Sequence, residues 1–202
     1  MSRYRGPKAR INRRLGGMIF ESAGAVKATD RRPEPPGMHP RPRKQSKYGE
    51  SMREKQKIKY YYGLHERQLR RLFDQASRAK GSTGENLLLL CERRVDSVIR
   101  LAGLAKTRPQ ARQGVAHGHF LLNGHPHTIS SATVRAGDVI HVNRRANCVS
   151  LYRSVLAEAS GQSADWLAFD EEELKVIVHR LPTVEDITLP VDVGLVVELL
   201  SR

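Results

Sequence analysis

Between Leu88 and Ala102, apolar residues recur at three- and four-residue steps. Leu88, Cys91, Val95, Val98, Ile99 and Ala102 form one stripe, the signature of an amphipathic helix. Gly103 stops it. A second helix opens at Thr107-Arg108-Pro109-Gln110. Thr107 is the N-cap, Gln110 stands where a side chain reaches back, and Pro109 is tolerated in a first turn. Ala111 and Val115, one turn apart, face inward, and Gly118 ends the helix. Phe120–Leu122 then runs into Asn123-Gly124, a type I′ hairpin signal because both turn positions need positive φ. Gly137-Asp138 makes another turn before a short strand of Val139, Ile140 and Val142. The pattern predicts a compact module of two helices, a hairpin and a closing strand over 93–142.

The same reading extends outward. Glu50–Lys59 and Glu66–Lys80 are predicted helices, separated by Tyr60-Tyr61-Tyr62-Gly63. Leu69, Leu72, Phe73 and Ala76 give the second an inward stripe, and Gly81–Gly84 breaks the chain before the module. A helix is predicted at Ser150–Ser160, with Leu151, Val155 and Leu156 inward. Strands are predicted around Trp166 and Ala168, at Leu174, Val176 and Val178, and again at Val193–Leu200. Pro33, Pro35, Pro36, Pro40 and Pro42 exclude regular helix or central strand from Gly16–Gly49. Met1–Arg14 has so little apolar content that it is expected to order only on a partner.

The expected architecture is α+β, with a helical basic N-terminal part, small C-terminal strands and a central two-helix and hairpin module. Four segments follow: 1–49, a basic Pro-rich arm; 50–90, a helical domain; 91–150, the module; and 151–202, a helix and strands packing with 50–90. The grouping of the last segment rests on a break in charge and on the hydrophobic pattern.

Charge changes the picture. The chain has 35 Lys+Arg against 21 Asp+Glu, net +14. Residues 1–80 hold 22 basic and 7 acidic side chains, 81–150 hold 9 and 4, and 151–202 hold 4 and 10. A polyanion is the simplest partner for the first two stretches, because each neutralised phosphate releases counterions. The acidic C-terminal part faces something else. Cys91 and Cys148 match no zinc spacing and form no disulfide framework, which fits a reducing cytoplasm, and Cys91 belongs to the core stripe. No apolar run reaches membrane-spanning length, and no secretion signal follows the N-terminus.

Candidate contacts follow from placement. Arg3, Arg5, Lys8, Arg10, Arg13 and Arg14 crowd the N-terminus, with Tyr4 available to stack on a base or sugar. Arg31, Arg32, Arg41, Arg43, Lys44 and Lys47 are interleaved with the prolines. Arg67, Arg70, Arg71 and Arg78 lie outside the apolar stripe of their helix. Arg93 and Arg100, seven apart, share one face, and Arg108 and Arg112, one turn apart, form another. Tyr60–Tyr62 read as core. His117, His119, His125 and His127 cluster around the hairpin and read as polar loop residues rather than zinc ligands. Asp170–Glu173 reads as a solvated acidic turn, with a docking surface for a basic protein as the alternative.

Arg94-Val95-Asp96, Thr107–Arg112, Val115, Asn123-Gly124 and Gly137-Asp138-Val139 together resemble the S-four RNA-binding module, whose paired helices lay a basic face on structured RNA. By position this implies contacts from Arg94, Lys106, Arg108 and Arg112. The flanking motifs occur in order: Arg3-Tyr4-x-Gly6-Pro7-Lys8, Arg13-Arg14, Tyr48-Gly49, Met52–Lys57, Tyr62-Gly63, Glu66-Arg67-Gln68, Thr83–Leu87 and Val197-Glu198-Leu199. With them, nearly the whole chain is similar to the bacterial-type small-subunit ribosomal protein family of that number. The resemblance implies binding to small-subunit ribosomal RNA, early in assembly, at a multi-helix junction of the 5′ domain. Lys55, Lys57, Arg67, Arg70 and Arg71 join the N-terminal cations as implied ribosomal RNA contacts. It implies a place at the messenger entry, with Arg41, Lys44 and Lys47 facing the messenger, a role in translational accuracy, and a neighbouring small-subunit protein, number five. Some members carry a four-cysteine zinc knuckle near the N-terminus. With no cysteine before Cys91, no zinc or other cofactor is expected.

An RNA-modifying or RNA-charging enzyme using the module as an accessory would need a catalytic domain. The chain has no Gly-rich phosphate loop, nucleophile elbow or metal cluster. A general nucleic-acid chaperone would fit repetitive basic tails better than these ordered motifs. A structural RNA-binding protein of the small ribosomal subunit is the leading expectation.

Overall fold

The computed structural model describes residues 4–38, 44–158 and 164–201. The chain divides into two compact units, one of residues 1–87 and 189–202, the other of residues 88–188. The fold is α+β.

The first unit is helical. Helix α1, Lys8–Leu15, buries Ile11 and Leu15, four residues apart, and ends at Gly16 in the left-handed region. Asn12 is also buried: its Oδ1 accepts from the Phe20 N–H at 2.9 Å and its Nδ2 donates to the Phe20 carbonyl at 3.0 Å. Helix α2, Ala23–Arg31, packs on α1. The N-terminal stretch, read as having too little apolar content to fold, thus contains a helix with a buried face. The Ile11/Leu15 pair completes one residue beyond the segment read as unfoldable. The expectation of no regular helix in Gly16–Gly49 is corrected: α2 ends before the first proline, Pro33, and α3 begins after the last, Pro42, so the prolines interrupt neither.

Helix α3 spans Lys47–Tyr61, with Ser46 Oγ accepting from the Gly49 N–H, and α4 spans Glu66–Arg78. Leu69 and Ala76 are fully buried and Phe73 nearly so, while Tyr61 and Tyr62 pack edge to face at 5.0 Å in the core. The segment expected as a C-terminal strand is a helix, α9, Val193–Ser201, packed on α3. A short apolar run does not reveal its period. Here Asp192 Oδ1 accepts from the Gly194 and Leu195 N–H groups, which starts a helix.

Helix α5, Thr83–Glu92, ends the first unit and begins the second. The continuous stripe predicted through Ala102 is broken: α6 spans Val95–Leu101, and Arg94 between the helices is extended. The returning segment holds this break open. The Val95 N–H donates to the Ala132 carbonyl at 2.9 Å, the Asp96 N–H to Ser130, and the Val134 N–H to the Arg93 carbonyl. Helix α7, Arg108–Ala116, packs on α6; Gln110 Oε1 accepts from the Lys106 N–H at 3.0 Å.

Strands β1 (Phe120–Leu122), β2 (His125–His127), β3 (Val139–Val142), β4 (Leu167–Asp170) and β5 (Lys175–Val178) form one antiparallel sheet ordered β2-β1-β3-β5-β4. Asn123 (φ 50°) and Gly124 (φ 81°) make the β1–β2 turn, and Asn123 Oδ1 also accepts from the Val139 N–H. Helix α8, Ala146–Ala157, buries Cys148, Tyr152 and Val155. The grouping of 151–202 with 50–90 is therefore corrected. The described residues from Leu189 onward, with α9, pack there; β4 and β5 extend the module's sheet. Val176 and Val178 are fully buried in one core with Trp166 and Leu167. Backbone pairing and an apolar face place a strand, and net charge does not.

Burial pushes the Cys91 thiol up to about 12. Neither cysteine is exposed, so thiol labelling at pH 8 should stay negligible until the chain unfolds. A Cβ on Gly84 would stand 2.0 Å from Val193 Cγ1, whereas one on Gly24 meets nothing within 4 Å. Gly84→Ala should destabilise the protein by about 1–3 kcal/mol. Gly24→Ala should stabilise it by up to about 1 kcal/mol. Chemical denaturation of the two variants checks both.

Candidate nucleic-acid interface

The two units differ in charge. The first carries 23 basic and 10 acidic side chains, a balance of +13; the second carries 12 and 11, a balance of +1. Their arginines also differ in state.

In the second unit, several predicted contact residues are structural. Arg94 is 4% exposed and grips Asp96 with two parallel bonds, Nε to Oδ1 at 2.9 Å and Nη2 to Oδ2 at 2.7 Å. Arg108 is 8% exposed; its Nη2 lies 3.3 Å from the carboxylate of Glu92, which is fully buried and also accepts from Thr188 Oγ1 at 2.9 Å. Arg94 and Arg108, expected to meet RNA, are placed against buried carboxylates that they neutralise. Exposing either would strand a charge, at a cost of about 3–5 kcal/mol. The predicted Arg108/Arg112 face reduces to Arg112. This side chain is partly exposed, and its Nε lies 3.3 Å from both Asp96 Oδ2 and Ser130 Oγ. Asp96 thus holds two guanidiniums, one internal and one at the surface. Lys106 is exposed and pairs with Glu158. Arg93 donates from Nε and Nη2 to the Val134 carbonyl, and Arg100 is half-buried, so the face they were read to share is also largely internal.

In the first unit the picture reverses. The inward stripe of α4 turns Arg67, Arg70, Arg71 and Arg78 to solvent. Arg10 and Arg14 are exposed on α1. None of these six guanidiniums has a hydrogen-bond or ion-pair partner among the described residues. Arg13 is held, its Nε donating to the Glu34 carbonyl at 2.6 Å. Lys8 sits over the Phe20 ring at 5.9 Å. Lys55 and Lys57 are pinned to Glu66 and Glu54 at 2.7 and 2.6 Å and are not open surface cations. Burial raises the Glu66 pKa, but Lys55 and then Lys59 outweigh it and hold this carboxyl below its usual value. The expectation that Tyr4 stacks on a base meets a ring already packed, 5.4 Å from Tyr60 and 6.1 Å from Phe20. Lys44 and Lys47 are exposed. Arg3 and Arg41 lie outside the described residues.

The sequence reading passed over Arg144 and Arg153. Both are exposed and line a cleft beside β3 and α8. Only their spacing around the start of α8 could have drawn attention to them. Two of the hairpin histidines serve the fold. His119 Nδ1 meets Tyr152 Oη at 3.2 Å, and His127 Nε2 meets the Ile129 carbonyl at 2.8 Å. Burial, then the neighbouring His117 and Arg145, lower the His119 pKa, so it is neutral at pH 7. Among the described residues, no group of three or more His, Cys, Asp or Glu is placed to hold a metal ion. No described helix is long and apolar enough to cross a membrane.

A helix pair with a hairpin-led sheet, joined to an arginine-faced helical unit, defines a structural RNA-binding protein. Residues 3–92 match the ribosomal protein S4/S9 N-terminal domain and residues 93–140 the S4 domain. The chain is 58% identical over 202 residues to the small ribosomal subunit protein uS4 of Rhodopirellula baltica, covering all of both chains. It is 43% identical to that of Rubrobacter xylanophilus and 44% to that of Opitutus terrae, again over full length. The chain belongs to the uS4 family of small ribosomal subunit proteins, a structural and non-enzymatic family.

Asp96→Ala should remove about 3–5 kcal/mol of stability, because it leaves the Arg94 guanidinium buried without its carboxylate. Arg112→Ala, at a partly exposed partner of the same carboxylate, should cost less than half as much. Urea denaturation of both variants, read at the same pH, checks the order.

Proposed function

We propose that this chain is a structural component of the cytoplasmic small ribosomal subunit and binds the subunit's RNA by its first unit and by Arg112. The supporting observation is the set of six exposed, unpartnered arginines on α1 and α4, in a unit of charge +13. RNA helices that converge at a junction bring phosphates close together, and fixed guanidiniums neutralise them while rigid elements set the angles. The binding target is the multi-helix junction of the 5′ domain, engaged early in assembly. Lys44 and Lys47 lie on the messenger-entry side, which links the protein to translational accuracy. A basic small-subunit neighbour such as protein number five is the protein partner of this role, met by the acidic C-terminal part. No catalytic step and no cofactor is part of this role.

The test is a binding titration against the folded 5′ domain, an unrelated structured RNA and duplex DNA over a salt series. Tight binding to the 5′ domain alone, persisting at moderate salt, is expected. Arg67→Ala, Arg70→Ala and Arg71→Ala combined should lower the slope of log affinity against log salt by about 2–3, close to one for each phosphate left without its guanidinium. Equal, steeply salt-dependent binding to all three polymers would replace this reading with one of charge alone.

A further inference from the structure

The second unit holds a cleft of about 590 Å³, within the size range of small-ligand sites. Its floor is apolar: Leu121, Val142, Val149 and Leu174. Four charged side chains rim it, and they come from different elements. Arg144 precedes α8 and Arg153 lies on it, whereas Glu172 and Glu173 come from the β4–β5 turn. No ion pair joins either arginine to either glutamate. Neither arginine has any side-chain partner among the described residues, nor has Glu172; Glu173 meets only Lys175, outside the cleft, at 3.5 Å. All four side chains are exposed, and opposite charges that share a cleft without meeting leave room for a polar group between them.

The acidic rim is fixed in place. Asp170 Oδ1 accepts from the N–H groups of Glu172 and Glu173 at 3.0 and 3.2 Å. Leu174, next in the chain, has φ 51°, a conformation unfavourable for a side chain of this kind. It is held there by burial, and its carbonyl accepts from the Val142 N–H at 3.1 Å. The turn therefore carries its glutamates on a braced backbone.

We propose that this cleft takes one unstacked guanosine of the RNA that the protein binds. Guanine has adjacent N–H donors on its Watson–Crick edge and the acceptors O6 and N7 on its other edge. Two carboxylates facing the first and two guanidiniums facing the second complement that pattern, and the apolar floor accepts the ring face. Adenine and cytosine each offer a single exocyclic amine to the carboxylates. Unpaired bases splayed from loops and bulges are the usual source of sequence-specific recognition in RNA. The inference rests on the reading of the protein as an RNA binder and adds to it a base-specific pocket on the less basic unit.

The test titrates the full isotope-labelled chain with the pentanucleotides UUGUU, UUIUU (inosine, lacking the 2-amino group) and UUAUU, and with guanosine monophosphate, following backbone amides by NMR. UUGUU should shift the amides of Leu121, Val142 and Leu174. It should bind about tenfold more tightly than UUIUU or UUAUU, the discrimination one good polar contact to a base supplies. It should also bind more tightly than the free nucleotide. Glu172→Gln with Glu173→Gln should abolish the preference for guanine over inosine. Arg153→Ala should weaken UUGUU about tenfold without changing the spectrum away from the cleft. Equal binding of the three oligomers, shifts confined to other residues, or a free nucleotide that binds as well as UUGUU would each overturn the proposal. The 5′ domain titration is run on the same sample. If that RNA binds while the cleft is silent, only the guanosine site fails; if that RNA does not bind, the RNA-binding reading fails first.

Discussion

The second unit depends on one buried carboxylate. Asp96 sits two residues after Arg94, and the two meet in a bidentate pair at the point where α5 gives way to α6. Around that pair the returning segment docks by backbone hydrogen bonds from Val95, Asp96 and Val134, and Arg112 is drawn in from α7. Without the carboxylate, two guanidiniums would crowd a nearly dry junction. With it, the chain turns between the helices, the hairpin closes over them, and one guanidinium is left at the surface in a defined orientation. A buried pair of this kind adds little net stability over an apolar substitute, yet it is costly to break. Its effect here is to specify one arrangement of α6, α7 and the returning segment.

This explains a division among arginines that look alike in the sequence. Arg108 and Arg112 lie one turn apart on one helix. The first is buried against Glu92, sixteen residues earlier, and Thr188, eighty residues later; the second reaches solvent. On α4 no buried acid exists to recruit the arginines, so the amphipathic stripe alone decides and they face outward. The positive charge available to a polyanion therefore sits mostly in the first unit, although both units contain basic helices. A charged residue off the apolar stripe is a surface residue only if nothing acidic is buried within its reach.

Helix existence on α4 and α7, the Asn123-Gly124 turn, the core positions of Cys91, Tyr61 and Tyr62, and the basic character of the N-terminal half were all legible from residue order. Each depends on interactions within a few residues: periodicity, capping, positive φ, local charge. The misreadings share the opposite cause. The N-terminal segment folds because Ile11, Leu15 and Asn12 find the following loop. Val193–Ser201 is a helix because Asp192 caps it and α3 receives it. Strands β4 and β5 join the module because β3 offers an open edge and the core needs Val176 and Val178.

Local chemistry by itself determined which segments are regular, where most helices begin, which half of the chain is cationic and, through the ordered motifs, the family. The tertiary structure decided which cations remain free. That outcome turns on ion pairs between residues far apart in the chain, and on a desolvation cost that arises only once a carboxylate is buried. It also brought Arg144 and Arg153 to the same cleft as Glu172 and Glu173, a grouping made by strand pairing rather than by spacing. Residue order specifies the charges, but burial selects the ones that can meet RNA.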